Sequence, residues 1–387
     1  MNRSYIPKVI LAEESLEACV RGKKIALMVN ATAVHNDGRL LIDIIAGCKE
    51  TEISFILGME HGVRCGFSAG ERDTESIDQR TGIPILSLYD YPERRPPVSE
   101  LSRVDAVVYC TQDSGVRHWT FTPWLFYLMD SAAMAGCEVI IVDRPNPIGD
   151  TVEGNLVEEK YKSTLLSGFG YPLRHGMTLG ELALMYKATA GLDLSLKVLP
   201  MEGYTRDMLF SDTGLPFIPP TPNVPSPDTF MYFALVGLLQ SSNLSLGGRT
   251  SFPFRFIGHK DISADALSEY LLRADLSDVS FLPYVCDSAS RWEPDNIHRT
   301  EGVIAYFHDL RHARPVRAQL YLLDAIATLY PDIIDLEWKP SWARRRMGTD
   351  DIYTLIERGE SVLSLLDRWD ADSKKFREMR EEFLIYR

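Results

Sequence analysis

Four short apolar runs recur through the first 150 residues: Lys24 to Val29 (KIALMV), Ile53 to Met59 (ISFILGM), Val104 to Cys110 (VDAVVYC) and Glu138 to Val142 (EVIIV). Each ends abruptly in polar residues. A strand that is apolar at nearly every position, rather than every second one, must be covered on both faces, which is the condition of a parallel sheet between layers of helix. Leu40 to Cys48 and Pro123 to Gly136 supply helical spacing between the runs, the second with Pro near its start and Gly at its end. A further run, Ile83 to Tyr89, contains Pro84 and is expected at a sheet edge. The fold class that follows is α/β, a Rossmann-like, mostly parallel sheet with helices on both faces.

In such sheets ligands bind just outside the carboxyl ends of the strands. Asn30, Glu60 with His61, Asp113 and Asp143 all fall at or just past such ends and would share one rim. The stretch ISFILGMEHGVRCGFSAG stops at an acid and an imidazole, and glycines at 62, 66 and 70 follow. Glu60 and His61 there read either as a site or as a turn cap and a hydrogen-bonded loop histidine. No GxGxxG follows the first strand and no GxxxxGK[ST] occurs, so nucleotide binding loses its main support.

A chain of 387 residues is too long for one ordinary core, and two domains are expected. The composition shifts at LPFIPPTPNVPSPDT, which carries six prolines and suits a linker or a boundary loop. The expected division is a catalytic domain over 1–205 and a smaller α+β domain over 206–387 that completes the cleft. The second part has a helix over Phe230 to Leu239, strands near Arg255 to Ile257 and Gly302 to Phe307, and a long helix over Val316 to Leu329. Two charged helices follow, Asp350 to Gly359 and Ser361 to Tyr386, the latter broken near Trp369. Upstream, Thr178 and Glu181 fit a capping box opening a helix over Leu179 to Ala190, with Arg174 and His175 just ahead of it at a natural anion site.

A net charge of −13 argues against a nucleic-acid or anionic-membrane surface, so an anionic substrate would need a local cluster of arginines. The six cysteines show no CxxC spacing and are read as reduced core residues. No apolar stretch is long enough for a signal peptide or a membrane span, and a cytoplasmic location is expected. His61, His118 and His175 lack HExxH-type spacing, so neither a metal nor another cofactor is expected. The sequence leaves the oligomeric state open.

The tracts NAT (30–32), EHG (60–62), TGIPILSLY (81–89), QDSGVRHWTF (112–121), DRPNPIGDTVEGN (143–155), RHGMTLGELA (174–183), PTPNVPSPDT (220–229) and RPVRAQLYLL (314–323), with Met347-Gly348-Thr349, occur in consistent order along nearly the whole chain. Together they resemble the bacterial NamZ-like exo-β-N-acetylmuramidase family. The resemblance implies a glycoside hydrolase that removes terminal N-acetylmuramic acid from the non-reducing end of peptidoglycan fragments, with a Rossmann-like catalytic domain and a smaller auxiliary one. It also implies that Glu60 of EHG is catalytic.

Glycoside hydrolysis commonly needs a second carboxylate. Glu153, Asp143 and Asp113 are the candidates, in that order, although Asp143 beside Arg144 and Asn146 also suits a structural turn. The lactyl carboxylate of N-acetylmuramic acid calls for a guanidinium, from Arg117, Arg144, Arg174 or Arg249, each of which also suits an ordinary salt bridge. Asn30, His61, Asp113, Asn146, His175 and Asn223 are further candidates for substrate binding, and Trp119 or Tyr89 for a stacking platform. The chain departs from the family where relatives read EGTN and GRGT: it has Gln240-Ser241-Ser242-Asn243 and Gly247-Gly248-Arg249-Thr250, an amide in place of a carboxylate. Met59 and Cys110 depart too. A relative that binds a muramyl or other anionic sugar without cleaving it is therefore the alternative.

Overall fold

The computed structural model describes residues 8–67, 70–72, 74–162, 169–274, 276–337 and 340–387. Six parallel strands form the larger sheet: β1 (Lys24–Val29), β2 (Glu52–Gly58), β3 (Ile85–Ser87), β4 (Ala106–Cys110), β5 (Glu138–Val142) and β6 (Leu196–Leu199), in the order β3-β2-β1-β4-β5-β6. The apolar runs are continuous because alternate residues enter different cores. On β1, Ile25, Leu27 and Val29 pack with Leu16, Leu41 and Ile45 on one face, whereas Ala26 and Met28 join Trp124 and Leu128 on the other.

The helices flanking the sheet begin and end where local chemistry predicts. Phe121–Ala135 stops at Gly136 in the left-handed conformation, and Thr178 with Glu181 closes a full capping box on Leu179–Thr189. The strand containing Pro84 shrinks to three residues and lies at the sheet edge, where a missing N–H is tolerated. The opposite edge, β6, has no counterpart in the sequence reading, because four residues of which only Leu199 is buried give no apolar run.

A second, antiparallel sheet has the order β7-β9-β8, from β7 (Phe256–His259), β8 (Val279–Ser288) and β9 (His298–Phe307). β8 is also absent from the sequence reading. Its Pro283 signals against a strand, yet β8 is an edge, and much of it faces solvent. The expected break near Trp369 is corrected: the helix Leu366–Arg380 runs through a buried Trp369, preceded by a 3-10 turn at Val362–Leu365. Of the six free cysteines only Cys110 and Cys137 are fully buried, so four are half-buried rather than core.

The two halves of the chain meet over one continuous apolar cluster. Trp119 and Trp124 from the first half share it with Phe230, Leu235, Leu320 and Leu323 from the second. The cavity described next lies along this seam.

Candidate active site

β2 delivers Glu60 by way of a tight turn in which His61 and Gly62 adopt φ of +70° and +73°. The turn sends the half-buried Glu60 into a cavity of about 650 Å3, within the range of small-molecule sites. Its Oε1 accepts from the Gly70 N–H at 3.1 Å and its Oε2 from the Thr120 hydroxyl at 2.5 Å. Both are neutral donors, and among the described residues no cation is bound directly to this carboxylate. His61 is buried, and its Nδ1 donates to the Phe67 carbonyl at 2.8 Å, which fixes the loop and leaves Nε2 as the acceptor nitrogen. The loop-fixing role considered for His61 is thus present while the residue also lines the cavity.

The remaining walls come from both halves. Trp119 is held edge-on by Phe121, Phe230 and Phe233 at 5.2, 5.8 and 5.6 Å between ring centres, and Asn223 enters from the proline-rich segment. Trp119 thus lines the cavity while belonging to the apolar core, with 7% of its surface exposed. Tyr89 is not a lining residue; its ring lies under the Arg94 guanidinium, 4.3 Å away.

The cations are not those the sequence suggested. Arg94, Arg291, Arg345 and Arg346 line the cavity, the last two from the final turn of the helix Pro340–Met347. Arg346 is 2% exposed and its Nη1 donates to the Gly237 carbonyl at 3.0 Å. Burial, reinforced by the neighbouring Arg291 and opposed by Glu60, pulls its pKa down to about 9. Arg291 donates to the Gln240 side-chain oxygen. His118, a lining residue 4% exposed, is kept neutral: burial drives its pKa well below 6.5, with Arg346 and Arg117 adding to the effect. Gly237 admits that ring, since a Cβ there would come within 1.7 Å of His118 Nε2.

The other sequence candidates do not line the cavity; all but the exposed Arg249 lie in a buried polar layer, and each has a structural partner. Arg174 donates to Glu153 Oε2 at 3.1 Å and to the Ala313 carbonyl at 2.8 Å. Glu153 Oε1 accepts from Arg314 at 3.1 Å, tying the start of the helix Pro315–Leu329 to the first half. Asp143 accepts from the Arg144 and Gly180 amides and from the Thr178 and Tyr386 hydroxyls, at 3.0, 2.9, 2.7 and 2.8 Å. Burial nonetheless raises its pKa to about 6.

Asp113 holds the Gly115 amide and Thr122 hydroxyl and lies 3.2 Å from His175 Nε2. Arg117 is fully buried among carbonyls, Asn155 at 2.7 Å, Tyr171 at 3.1 Å and Met347 at 2.7 Å. Arg144 donates to Gln112 Oε1 and the Val34 carbonyl, Asn146 to the Met177 carbonyl, and Asn30 Oδ1 accepts from Thr32. Arg249 is exposed, paired with Asp295 at 3.1 Å. Of the thirteen candidates, the structure brings Glu60, His61 and Asn223 to the cavity and places Glu153, Asp143, Asp113, Asn30, Asn146, His175 and the four arginines elsewhere.

Comparison with known proteins settles the lineage. The family model "Exo-beta-N-acetylmuramidase NamZ, N-terminal" matches residues 25–228 and its C-terminal counterpart matches 231–386. The chain belongs to the NamZ family. By that membership it is a glycosidase of the exo-β-N-acetylmuramidase type. It is 32% identical over 370 residues to the peptidoglycan β-N-acetylmuramidase NamZ of Bacillus subtilis, covering 95% of this chain and 88% of that one. Two crystal structures of DUF1343 family proteins from Bacteroides fragilis share the fold, with TM-scores of 0.89 and 0.74 and identities of 29% and 27%, covering 99% and 98% of this chain and 100% and 99% of theirs.

What the sequence missed in this NamZ-family cavity had a faint signal. The run Arg344-Arg345-Arg346 stands immediately before Met347-Gly348-Thr349, and among the described residues only Arg344 of the three is ion-paired, to Glu337, Asp350 and Glu357. The altered 240–250 segment divides: Gln240 lines the cavity, whereas Arg249 faces solvent.

Proposed function

We propose that this protein hydrolyses the glycosidic bond of a terminal, non-reducing N-acetylmuramic acid residue in peptidoglycan-derived saccharides, with Glu60 as the catalytic carboxyl. The observation that carries this reading is the position of Glu60: it enters the cavity from a parallel-strand carboxyl end, half-buried, held by two neutral donors. A carboxyl not neutralised by a direct ion pair is free to exchange a proton with a leaving oxygen. Across from it, Arg291 and Arg346 supply bidentate donors for the lactyl carboxylate that distinguishes muramic from glucosamine sugars. Trp119 offers an apolar face to the sugar ring, and His61 Nε2 and Asn223 offer hydrogen bonds to hydroxyls. Six free cysteines fit a reducing, cytoplasmic setting and thus a part in cell-wall recycling.

The test is release of para-nitrophenol from para-nitrophenyl N-acetyl-β-muramide, with the N-acetylglucosaminide as control. The wild type is expected to cleave only the muramide, and Glu60→Gln to lose about 10²–10⁴-fold in kcat with an unchanged thermal midpoint. One feature favours a second reading: Gln240 is an amide where relatives carry a carboxylate, and it lies in the cavity. Binding of N-acetylmuramic acid by calorimetry without cleavage of either glycoside would establish that reading, a sugar-binding relative, in place of the hydrolase.

A further inference from the structure

The cavity carries more positive charge than the lactyl carboxylate of one muramic residue can balance. Arg94, Arg291, Arg345 and Arg346 all line it, in a protein whose net charge is −13. Among the described residues none of the four is paired with a carboxylate, and Arg345 has no hydrogen-bonding partner at all. Of the two lining carboxylates, Glu60 attracts Arg291 and Arg346 electrostatically without bonding to either among the described residues. Glu60 is occupied by Gly70 and Thr120, and Glu93 is paired with Arg95 at 3.1 Å.

Holding a buried guanidinium near another without a counter-ion is unfavourable, and such arrangements concentrate at sites that bind anions. Arg346 is in that position: 2% exposed, beside Arg291, and using a single protein acceptor. Gln240 Nε2 and Trp119 Nε1 are buried donors of the wall without acceptors among the described residues, and the neutral His118 adds one donor and one acceptor nitrogen in the same condition. With the guanidiniums, donors outnumber acceptors at this wall, which favours a ligand rich in acceptor oxygens.

We infer that the cavity takes a muramyl sugar with a second acidic group, a phosphate monoester, in addition to its lactyl carboxylate. The inference rests on the muramidase reading for its sugar and goes beyond it in the charge of the substrate. A phosphate monoester brings roughly −1.5 to −2 charge and three acceptor oxygens, which suits a cluster of guanidiniums better than a carboxylate alone. Arg291 and Arg346 meet the lactyl group, leaving Arg345 and Arg94 for the phosphate. A terminal muramic residue has free hydroxyls at C4 and C6; the primary C6 oxygen extends furthest from the ring and is the position that reaches toward such a rim.

The experiment compares para-nitrophenyl N-acetyl-β-muramide with its 6-O-phosphate as substrates of the full-length wild type, Arg345→Gln and Glu60→Gln. Affinities for N-acetylmuramic acid and its 6-phosphate are measured by calorimetry alongside. The phosphorylated glycoside is expected to have at least a tenfold higher kcat/KM. Arg345→Gln is expected to cut the rate on the phosphorylated glycoside at least tenfold more than on the plain one. Equal or lower kcat/KM for the phosphorylated glycoside overturns the inference. Cleavage of the plain glycoside that Glu60→Gln abolishes keeps the muramidase reading whichever way the phosphate comparison falls. If neither glycoside is cleaved, calorimetry decides: tighter binding of the 6-phosphate, weakened in Arg345→Gln, supports a dianion site, and equal affinities overturn it.

Discussion

The buried polar layer and the cavity use the same residue types and treat them in opposite ways. In the layer, Arg174 has a carboxylate and carbonyls, Arg117 is ringed by carbonyls, and Asp143 has four donors. In the cavity, among the described residues, the buried Arg346 has one acceptor, the exposed Arg345 none, and Glu60 only neutral donors. A buried charge with several partners fixes the position of the chain around it, and one with few partners at a cavity wall is held ready for a ligand. Burial alone separates neither group, since Arg346 is as deeply buried as Arg174.

The contrast breaks most readily at its two extremes. Glu153→Ala removes the partner of buried Arg174 and of Arg314, so urea unfolding is expected to show a loss of about 3–5 kcal/mol, while the folded fraction keeps its kcat within about threefold. A Glu153 variant that is stable but inactive would place that carboxylate in the chemistry instead. Glu60→Gln is the mirror case, with activity lost and the unfolding midpoint kept.

A smaller effect sharpens the comparison through pH. His118 is neutral in the folded cavity wall, its pKa lowered by burial and by Arg346, Arg117 and Arg291, whereas an unfolded histidine protonates near 6.5. Below that pH the native state binds fewer protons than the unfolded state, so stability is lost as pH falls. His118→Gln lacks this term. Its thermal midpoint is expected to drop less than the wild type's between pH 7 and pH 5, by roughly 3 °C, read by circular dichroism. The smallest effect is at Arg249, whose exposed pair with Asp295 predicts a change under about 0.5 kcal/mol for Arg249→Ala, with unaltered kcat/KM.

Much of the frame was legible in the chain. The strands β1, β2, β4 and β5 announce themselves because both faces of each are buried, which forces apolar residues at successive positions. Glu60 was legible for the same reason, as the first acid after such a run. The strands β6 and β8 were not, because edges with exposed residues carry no continuous apolar signature.

The arginines show where sequence reading stops. Arg117, Arg144 and Arg174 stood in tracts rich in acids and glycines and looked like ligands of an anion, yet each is consumed by main-chain carbonyls or by Glu153 and Gln112. Arg94, Arg291 and the adjacent pair Arg345 and Arg346 lie in three different contexts over more than 250 residues, and their convergence follows only from packing the second half of the chain onto the helix-covered face of the sheet. By itself the sequence determined the parallel sheet, the capped helices and the carboxylate at a strand end, all products of local pattern. Tertiary structure alone decided which charges were satisfied and which were left facing a cavity, because satisfaction depends on partners brought together from distant parts of the chain.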